Sequence, residues 1–328
     1  MITRRSFLAG SATLAFSAGV SSRVQAESGT LDHQLLYGYP SGASGSKLAA
    51  ALLPMFAAQG GPTYRLTNIE GGNTRTASIA AAQALPDGTV MLQALSTSLT
   101  LMPSLYQDMG FDPLRDFKPI ASIADFPYVL AVGPLVPQTV SNVAQYITWV
   151  KNNPEFNNIG ISIHGSMGEL AIRTLMNVTG TPLISQAYQR TDDVLADLKG
   201  QSLAAAFVVP SSGISPDPNA PIRPIGITSA ERFSFWPQVV PLADQGITDL
   251  NLSAWFGWFT QSSTPESTLT PIRTAIRALQ ASKMYEDVLK GLLLTANPHS
   301  PEQITARMNE EVSRYRSLVD RLQISKLA

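Results

Sequence analysis

The sequence predicts an α/β protein built on two mostly parallel sheets. Three observations carry that prediction. Short apolar runs are followed by Gly- and Ser-rich turns and then by amphipathic stretches, and the pattern recurs along the chain. The turns that close the apolar runs carry many hydroxyls and glycines, as the carboxyl ends of parallel strands do around a ligand. About 300 residues follow a leader-like N-terminus, enough for two ordinary domains.

The first unit opens with His33-Gln34-Leu35-Leu36-Tyr37, read as a buried strand. It stops at the small-residue loop 38–46, and Lys47 to Phe56 reads as a helix. Tyr64 to Asn68 is a second strand, Glu70 to Thr74 a turn, and the alanine-rich stretch to Ala84 a helix. Pro86-Asp87-Gly88 is a turn, because proline fixes φ and glycine accepts a positive one. Val90 to Leu95 is a third strand, ending in Ser96-Thr97-Ser98.

Tyr128 to Val132 is a strong strand, and Ser141 is placed to cap a helix with Val143, Ile147 and Val150 on one face. Asn158 to Ile163 is a strand ending at His164-Gly165, followed by a helix from Ser166 to Val178. Thr191 to Lys199 is a helix closed by Gly200. Ala204 to Val209 and Ile222 to Ile227 are strands separated by a Pro/Ser/Gly-rich turn. Trp255 to Phe259 is an aromatic strand, read as core rather than as a stacking platform. Thr270-Pro271 reads as an N-cap with proline at N1, and Ser300-Pro301-Glu302-Gln303 as a capping box.

The N-terminus reads as a twin-arginine export signal. Arg4-Arg5 leads into an apolar stretch, Phe7 to Val20, and then a small-x-small cleavage site at Val24-Gln25-Ala26. The expected mature chain begins near Glu27, in the periplasm. Removal of the leader takes three arginines and no acid, leaving 20 basic against 24 acidic residues, a net charge of −4. A mildly acidic chain has no electrostatic footprint for nucleic acid. No run beyond the leader reaches the length of a transmembrane helix. There is no cysteine, hence no thiolate nucleophile, disulfide or sulfur-ligated metal. His33, His164 and His299 stand far apart, none with a second histidine at metal-ligand spacing. No cofactor and no metal are expected.

Three strand-end loops carry the candidate chemistry. The first runs from Tyr39 to Ser46, with hydroxyls at Ser41, Ser44 and Ser46 and small residues at Gly42 and Ala43. The second is Ser96-Thr97-Ser98. The third is His164-Gly165-Ser166-Met167, where Ser166-x-x-Glu169 reads as a capping box before an apolar helix. Helix N-termini with accessible backbone donors suit anions, carboxylates among them. The expectation for Ser166 is that a bulky replacement abolishes ligand-induced stabilisation and leaves the fold intact. An exported hydrolase is the weaker reading. A nucleophile elbow would need glycine where His164 stands, and no histidine is placed to serve as base. The acidic pairs Asp192-Asp193 and Glu310-Glu311 read as solvated helix faces.

The same signatures, in this order and spacing, resemble the extracytoplasmic solute receptors of the tripartite tricarboxylate transporter system, the Bug family. That family's first loop, F-P-P-G-G-x-x-D, stands here as Tyr39 to Ser46, and its N-x-P-G-A-G-G segment as Asn68 to Thr74. A-x-P-D-G-x-T-L matches Ala84 to Met91, and F-x-P-x-x-D-F-x-P-I matches Phe111 to Ile120. G-x-G-S-x-x-H-L corresponds to Ile163 to Leu170, P-Y-x-G to Ala187 to Arg190, and D-L-x-G-Q-V to Asp197 to Ser202. The late run R-x-L-A-V…R…P-x-V-P-x-x-x-x-x-G is echoed by Arg223 to Ile227, Arg232, and Pro237 to Gly246.

The resemblance implies a two-lobe, type II-like periplasmic-binding-protein fold with two chain crossovers and a ligand cleft. Residues 27–126 and 228–328 would form one lobe and 127–227 the other. The implied function is capture of a small organic acid without catalysis, by a monomer that delivers it to membrane transporter subunits or presents itself to a sensor kinase. Ligand contacts are expected from the three loops and from Tyr188. The chain departs from the family pattern at several places that bear on the pocket. Ser46 stands where an aspartate is frequent, which argues against a cationic ligand and for an organic acid or a neutral hydroxylated molecule. Ser41 and Ala43 replace a proline and a glycine, Ile163 a glycine, Glu169 a histidine, and Arg190 a glycine. Arg190 either reaches the cleft to pair with a distal carboxylate or is a solvated surface residue.

Overall fold

The computed structural model describes residues 32–327 except 189 and 212. The export signal, the cleavage site and the expected mature N-terminus lie outside the described residues. In chain order the strands are β1 (Gln34–Tyr37), β2 (Arg65–Asn68), β3 (Val90–Leu95), β4 (Phe117–Pro127) and β5 (Val129–Val132). They continue with β6 (Asn158–Ile161), β7 (Ile184–Ala187), β8 (Ala205–Val208), β9 (Arg223–Ile227) and β10 (Ser253–Gln261). The helices are α1 (Ser44–Ala58), α2 (Arg75–Ala82), α3 (Ser96–Thr100), α4 (Met102–Leu105) and α5 (Val143–Asn152). Then come α6 (Met167–Thr179), α7 (Thr191–Lys199), α8 (Glu266–Gln280), α9 (Lys283–Gly291) and α10 (Pro301–Arg321).

The strands form two five-stranded sheets, ordered β2-β1-β3-β10-β4 and β7-β6-β8-β5-β9. Both follow one plan. In the first, β1, β2 and β3 pair in parallel, and β10 lies antiparallel between β3 and β4. In the second, β6, β7 and β8 pair in parallel, and β5 lies antiparallel between β8 and β9. Four strands of each sheet therefore point the same way, and one runs against them. Helices cover the sheet faces and bury continuous apolar strands, as such sheets require.

The chain crosses between the sheets twice. It leaves β4 and enters β5 through a single residue, Tyr128, and it returns over residues 228–252. Phe233, Trp236 and Val239 on the returning segment pack with Val129, Ala131 and Ile227 of the second sheet. The two crossings are tied together at Thr228, which is fully buried. Its backbone N–H donates to the Tyr128 carbonyl (2.9 Å), and its Oγ1 accepts from the Tyr128 N–H (2.9 Å). The same hydroxyl donates to the Leu252 carbonyl at 2.6 Å.

Several element starts differ from the sequence reading, each for a local reason. Asn142, not Ser141, caps α5, its side chain accepting from the Gln145 N–H. Helix α8 begins at Glu266 and carries Pro271 inside it, because the earlier start buries Leu269 on the same face as Ile272, Ile276 and Leu279. One lost backbone bond at the proline is outweighed by burying that whole stripe. Ser96 to Ser98 are not a loop: they open α3 directly from β3 and are buried. Glu311 is buried rather than solvated, whereas its neighbour Glu310 is exposed. The capping box at Ser300 forms as predicted, with the Ser300 N–H donating to Gln303 Oε1 (2.8 Å) and the Gln303 N–H to Ser300 Oγ (3.3 Å). Trp255 and Trp258 are core residues, as read.

Candidate ligand-binding cleft

The carboxyl ends of β1, β2, β3 and β4 and those of β6, β7 and β8 meet along a chain of cavities. One of about 300 Å³ lies between the β1 and β2 ends on one side and the β6 and β7 ends on the other. Tyr39, Asn73, His164 and Tyr188 face each other across it. A narrow cavity of about 40 Å³ continues from Tyr39 and Ser162 toward the crossover residue Tyr128. A third, about 200 Å³, adjoins it at Ala43, Ser44, Arg190 and Thr191.

The floor between the cavities is aromatic and uncharged. Tyr37 lies tilted at 5.3 Å from Tyr39 and edge-on at 6.4 Å from Phe256, which lies 5.0 Å from Phe126. Burial pushes the Tyr37, Tyr39 and Tyr128 phenols well above their ordinary pKa, so each remains a neutral hydroxyl. The first loop is braced against this floor. A side chain at Gly45 would collide with the Tyr37 ring, so only glycine lets α1 start this close to β1. The Gly45 carbonyl accepts from Gln93 Nε2 (2.7 Å), whose Oε1 in turn accepts from Trp258 Nε1 (3.0 Å).

The predicted residues divide by what their atoms already do. Tyr39, Gly42, Ala43 and Ser44 line cavities, as do His164 and Tyr188. Ser41 is exposed. Ser46 is buried and spent on the loop itself, donating to the Pro40 carbonyl (2.9 Å) and accepting from Asn68 Nδ2 (2.7 Å). Ser96 accepts from the Trp255 N–H at 3.2 Å, and Thr97 is buried beside it. Ser98 stands behind Tyr39 and accepts from Thr74 Oγ1 (3.0 Å). Met167 is fully buried core. The Tyr188 hydroxyl is engaged with Asp197 (2.7 Å) and Gln186 (2.7 Å), which leaves its ring for the cavity.

Ser166 corrects one expectation. Its side chain is the N-cap of α6, accepting from the Glu169 N–H (3.4 Å), and the Glu169 carboxylate returns to the Gly165 N–H (2.7 Å). Only 2% of Ser166 is exposed, so a bulky residue there would disturb the helix start rather than leave the fold intact. Ser166→Ala is the informative change. It is expected to lower unfolding stability by ~1 kcal/mol, read from denaturant melts at constant slope. An unchanged midpoint would show that the cap contributes nothing.

Sequence reasoning missed the segment that walls the large cavity. Gly71, Gly72, Asn73 and Thr74 all have positive φ, the last two at 57° and 73°. A β-branched residue in that region is strained, and such strain collects where a chain does work. Thr74 is held there by Ser98 and by Gly38, whose missing Cβ would lie 2.6 Å from the Thr74 Cβ. The strained turn lets Asn73 Nδ2 reach the His164 carbonyl (2.8 Å) and the Tyr106 hydroxyl, bridging the two sheets' loops. Only the glycine pair and the asparagine hinted at this backbone.

A serine–histidine contact does occur, far from the cleft loops in sequence. His299 Nδ1 lies 3.5 Å from Ser122 Oγ, but that hydroxyl is already donated to the Asn297 carbonyl (2.7 Å) and accepts from the His299 backbone N–H (2.9 Å). It braces a turn and is not freed for nucleophilic attack.

A family model described as tripartite tricarboxylate transporter family receptor matches residues 67–324. The chain belongs to that receptor family. Protein BugT of Bordetella pertussis is 22% identical over 305 residues, 92% of this chain and 93% of BugT. The match to a second B. pertussis relative, a UPF0065 protein 23% identical over 208 residues, spans 63% of this chain and 64% of that protein's length. Two solved structures share the receptor fold. The periplasmic binding protein BugD has a TM-score of 0.81 at 20% identity, over 90% of this chain and 99% of BugD. R. palustris Rpa4515 with adipate has a TM-score of 0.81 at 23% identity, over 90% of this chain and 98% of that one. The receptor family and the fold are those of solute-binding proteins. Among the described residues no helix is long and apolar enough to cross a membrane.

Proposed function

We propose that this receptor is a periplasmic protein that captures a small organic acid between two lobes and delivers it to a tripartite tricarboxylate-type membrane transporter. The observation that carries the proposal is the row of cavities between the strand ends of two sheets that the chain joins by only two crossings. Ligands of open α/β sheets sit at those ends. A solute touching both sides favours the closed arrangement, which is the hinge logic of such receptors. The adipate bound to Rpa4515 is consistent with an acid as the solute.

In this reading the first lobe is built on the first sheet and the second on residues 128–252. The sequence alone assigned 228–252 to the first lobe, but Phe233, Trp236 and Val239 favour the second. Tyr39, Gly42, Ala43, Ser44, His164 and Tyr188 would touch the ligand, joined by Asn73 and Arg190. Export by the twin-arginine route, with cleavage after Ala26, and a monomeric state complete the reading.

A thermal-shift screen of residues 27–328 against mono-, di- and tricarboxylates, aromatic acids, amino acids and neutral amides tests it. At a hundredfold excess over Kd, a bound acid adds about 2.7 kcal/mol, which is expected to raise Tm by a few degrees. A shift from one class of acids, with the compound recovered unchanged, supports the receptor reading. No shift from any acid removes the carboxylate, and chemical breakdown of the compound removes the receptor.

A further inference from the structure

The cleft is electrically lopsided. The 300 Å³ cavity has Glu70 on its wall and no lysine or arginine lining it among the described residues. The 200 Å³ cavity has two cations, Lys47 on α1 and Arg190 just before α7, against one acid, Asp192. This cationic end belongs to a chain whose net charge is −1.

The cations are not consumed by one another's partner. Lys47 Nζ and Arg190 Nη2 each lie 3.8 Å from Asp192 Oδ2, longer than a charge-assisted hydrogen bond, and all three side chains are about half exposed. Pairs of this kind contribute little to stability. Arg190 also reaches over the first loop: a Cβ on Gly42 would lie 3.7 Å from its guanidinium. The guanidinium therefore stands over the small-residue loop rather than out in solvent alone. A separate observation points to the same place. Ser211 lines this cavity, and its hydroxyl, turned away from solvent, has no hydrogen-bond partner among the described residues. A buried hydroxyl without a partner is costly, and a bound anion would supply one.

We propose that Arg190, Lys47 and Ser211 form a distal anion subsite, so that the receptor selects solutes with two carboxylates and discriminates against their monocarboxylate counterparts. One carboxylate would meet the loops of the large cavity and its floor, and the second would be taken by the guanidinium and ammonium, with the Ser211 hydroxyl turning about χ1 to donate. Arg190 is then the specificity determinant of this particular chain. The inference rests on the carboxylate-receptor reading above.

The test is isothermal titration of the mature protein with a series of straight-chain α,ω-dicarboxylates and the monocarboxylates of equal length. The unsubstituted protein is expected to bind its best dicarboxylate at least tenfold more tightly than the matched monocarboxylate. Arg190→Gln is expected to weaken the dicarboxylate by about tenfold or more and the monocarboxylate far less, because the hydrogen bond to the second charged group is lost for one ligand only. Asp192→Asn removes the competing carboxylate and is expected to tighten the dicarboxylate severalfold. Opposite signs from two exposed positions exclude misfolding as the cause. Equal binding of mono- and dicarboxylates, or an Arg190→Gln variant with unchanged preference, overturns the subsite and leaves the receptor reading standing. A parallel loss for both ligand types in Asp192→Asn also overturns it, by making the three charges an ion-pair clasp between the lobes. Binding of neither series overturns the carboxylate reading itself and the subsite with it.

Discussion

Arg307→Met is expected to lower unfolding stability by roughly 3–5 kcal/mol at neutral pH, the cost of stranding buried charge. Arg307 stands between the buried carboxylate of Glu311 and the mostly buried one of Asp125, with Nη1 2.9 Å from Asp125 and Nε 3.0 Å from Glu311. Glu311 also accepts from Trp255 Nε1 (2.8 Å) and Thr100 Oγ1 (3.0 Å), and Asp125 from Asn297 Nδ2 (2.9 Å). Burial pushes both acids above their ordinary values of 3.8 and 4.5, while Arg307 pulls them back down.

The sign of the pH dependence follows. An acid whose pKa is raised by folding contributes stability that is present below its unfolded value and lost as pH rises through its folded one. Without Arg307 both acids titrate still higher, so the variant loses most at neutral pH. The gap to the parent is expected to narrow as pH falls through that raised range toward 3.8 and 4.5. Asp87, Asp116, Glu266 and Glu302 are shifted the other way by their own partners and destabilise both proteins alike in acid. Paired urea melts across pH measure the difference. A constant gap would mean that the two carboxylates do not depend on Arg307.

Trp258→Ala is expected to cost ~3–5 kcal/mol and to weaken binding as well. The indole is fully buried in the first sheet, edge-on to Phe56 at 5.6 Å and 83°. Its removal leaves a cavity that the close-packed surroundings fill only in part. It also removes the donor that orients Gln93, the residue that holds the Gly45 carbonyl of the first loop. A variant that melts early yet binds the parent's ligand with unchanged affinity would show that the loop keeps its shape without this brace.

Much of the architecture was legible because βα units are local. A strand, its turn and its helix lie within a few tens of residues, and each announces itself by period and by glycine or proline. Strand β4 was not legible, for a physical reason. Phe117 to Pro127 is buried along almost its whole length, so it shows no alternation, and it contains two prolines. It tolerates them because it closes one edge of the sheet, where fewer ladder bonds are required. Glu311 was legible and was misread. It falls three residues after Met308 and four before Tyr315, on the apolar stripe of α10.

The cleft was partly legible. Small residues after β1 marked a place where backbone approaches a ligand, and the first loop and His164 do line the cavities. The left-handed run at 71–74 left little trace, since backbone handedness at Asn73 and Thr74 is imposed by packing against Gly38 and Ser98. Of the grouping of Lys47, Arg190 and Ser211 only Arg190 was legible, as one of two alternatives, because the cluster is made by tertiary contact between distant segments.

The position of β10 bears on how the chain is made. The strands of the second sheet all lie within residues 129–227, so that sheet can be completed from one continuous stretch. The first sheet cannot. Its fourth strand in spatial order is β10, which leaves the ribosome after every other strand of the two sheets. Until residue 261 is available, β3 and β4 each present an open, apolar edge to a partner that does not yet exist. Pairings of such long sequence separation form slowly, and unpaired edges invite other chains. The nascent protein therefore passes through a stage in which its half-built first sheet is its main aggregation hazard, and that hazard ends only when β10 slots in.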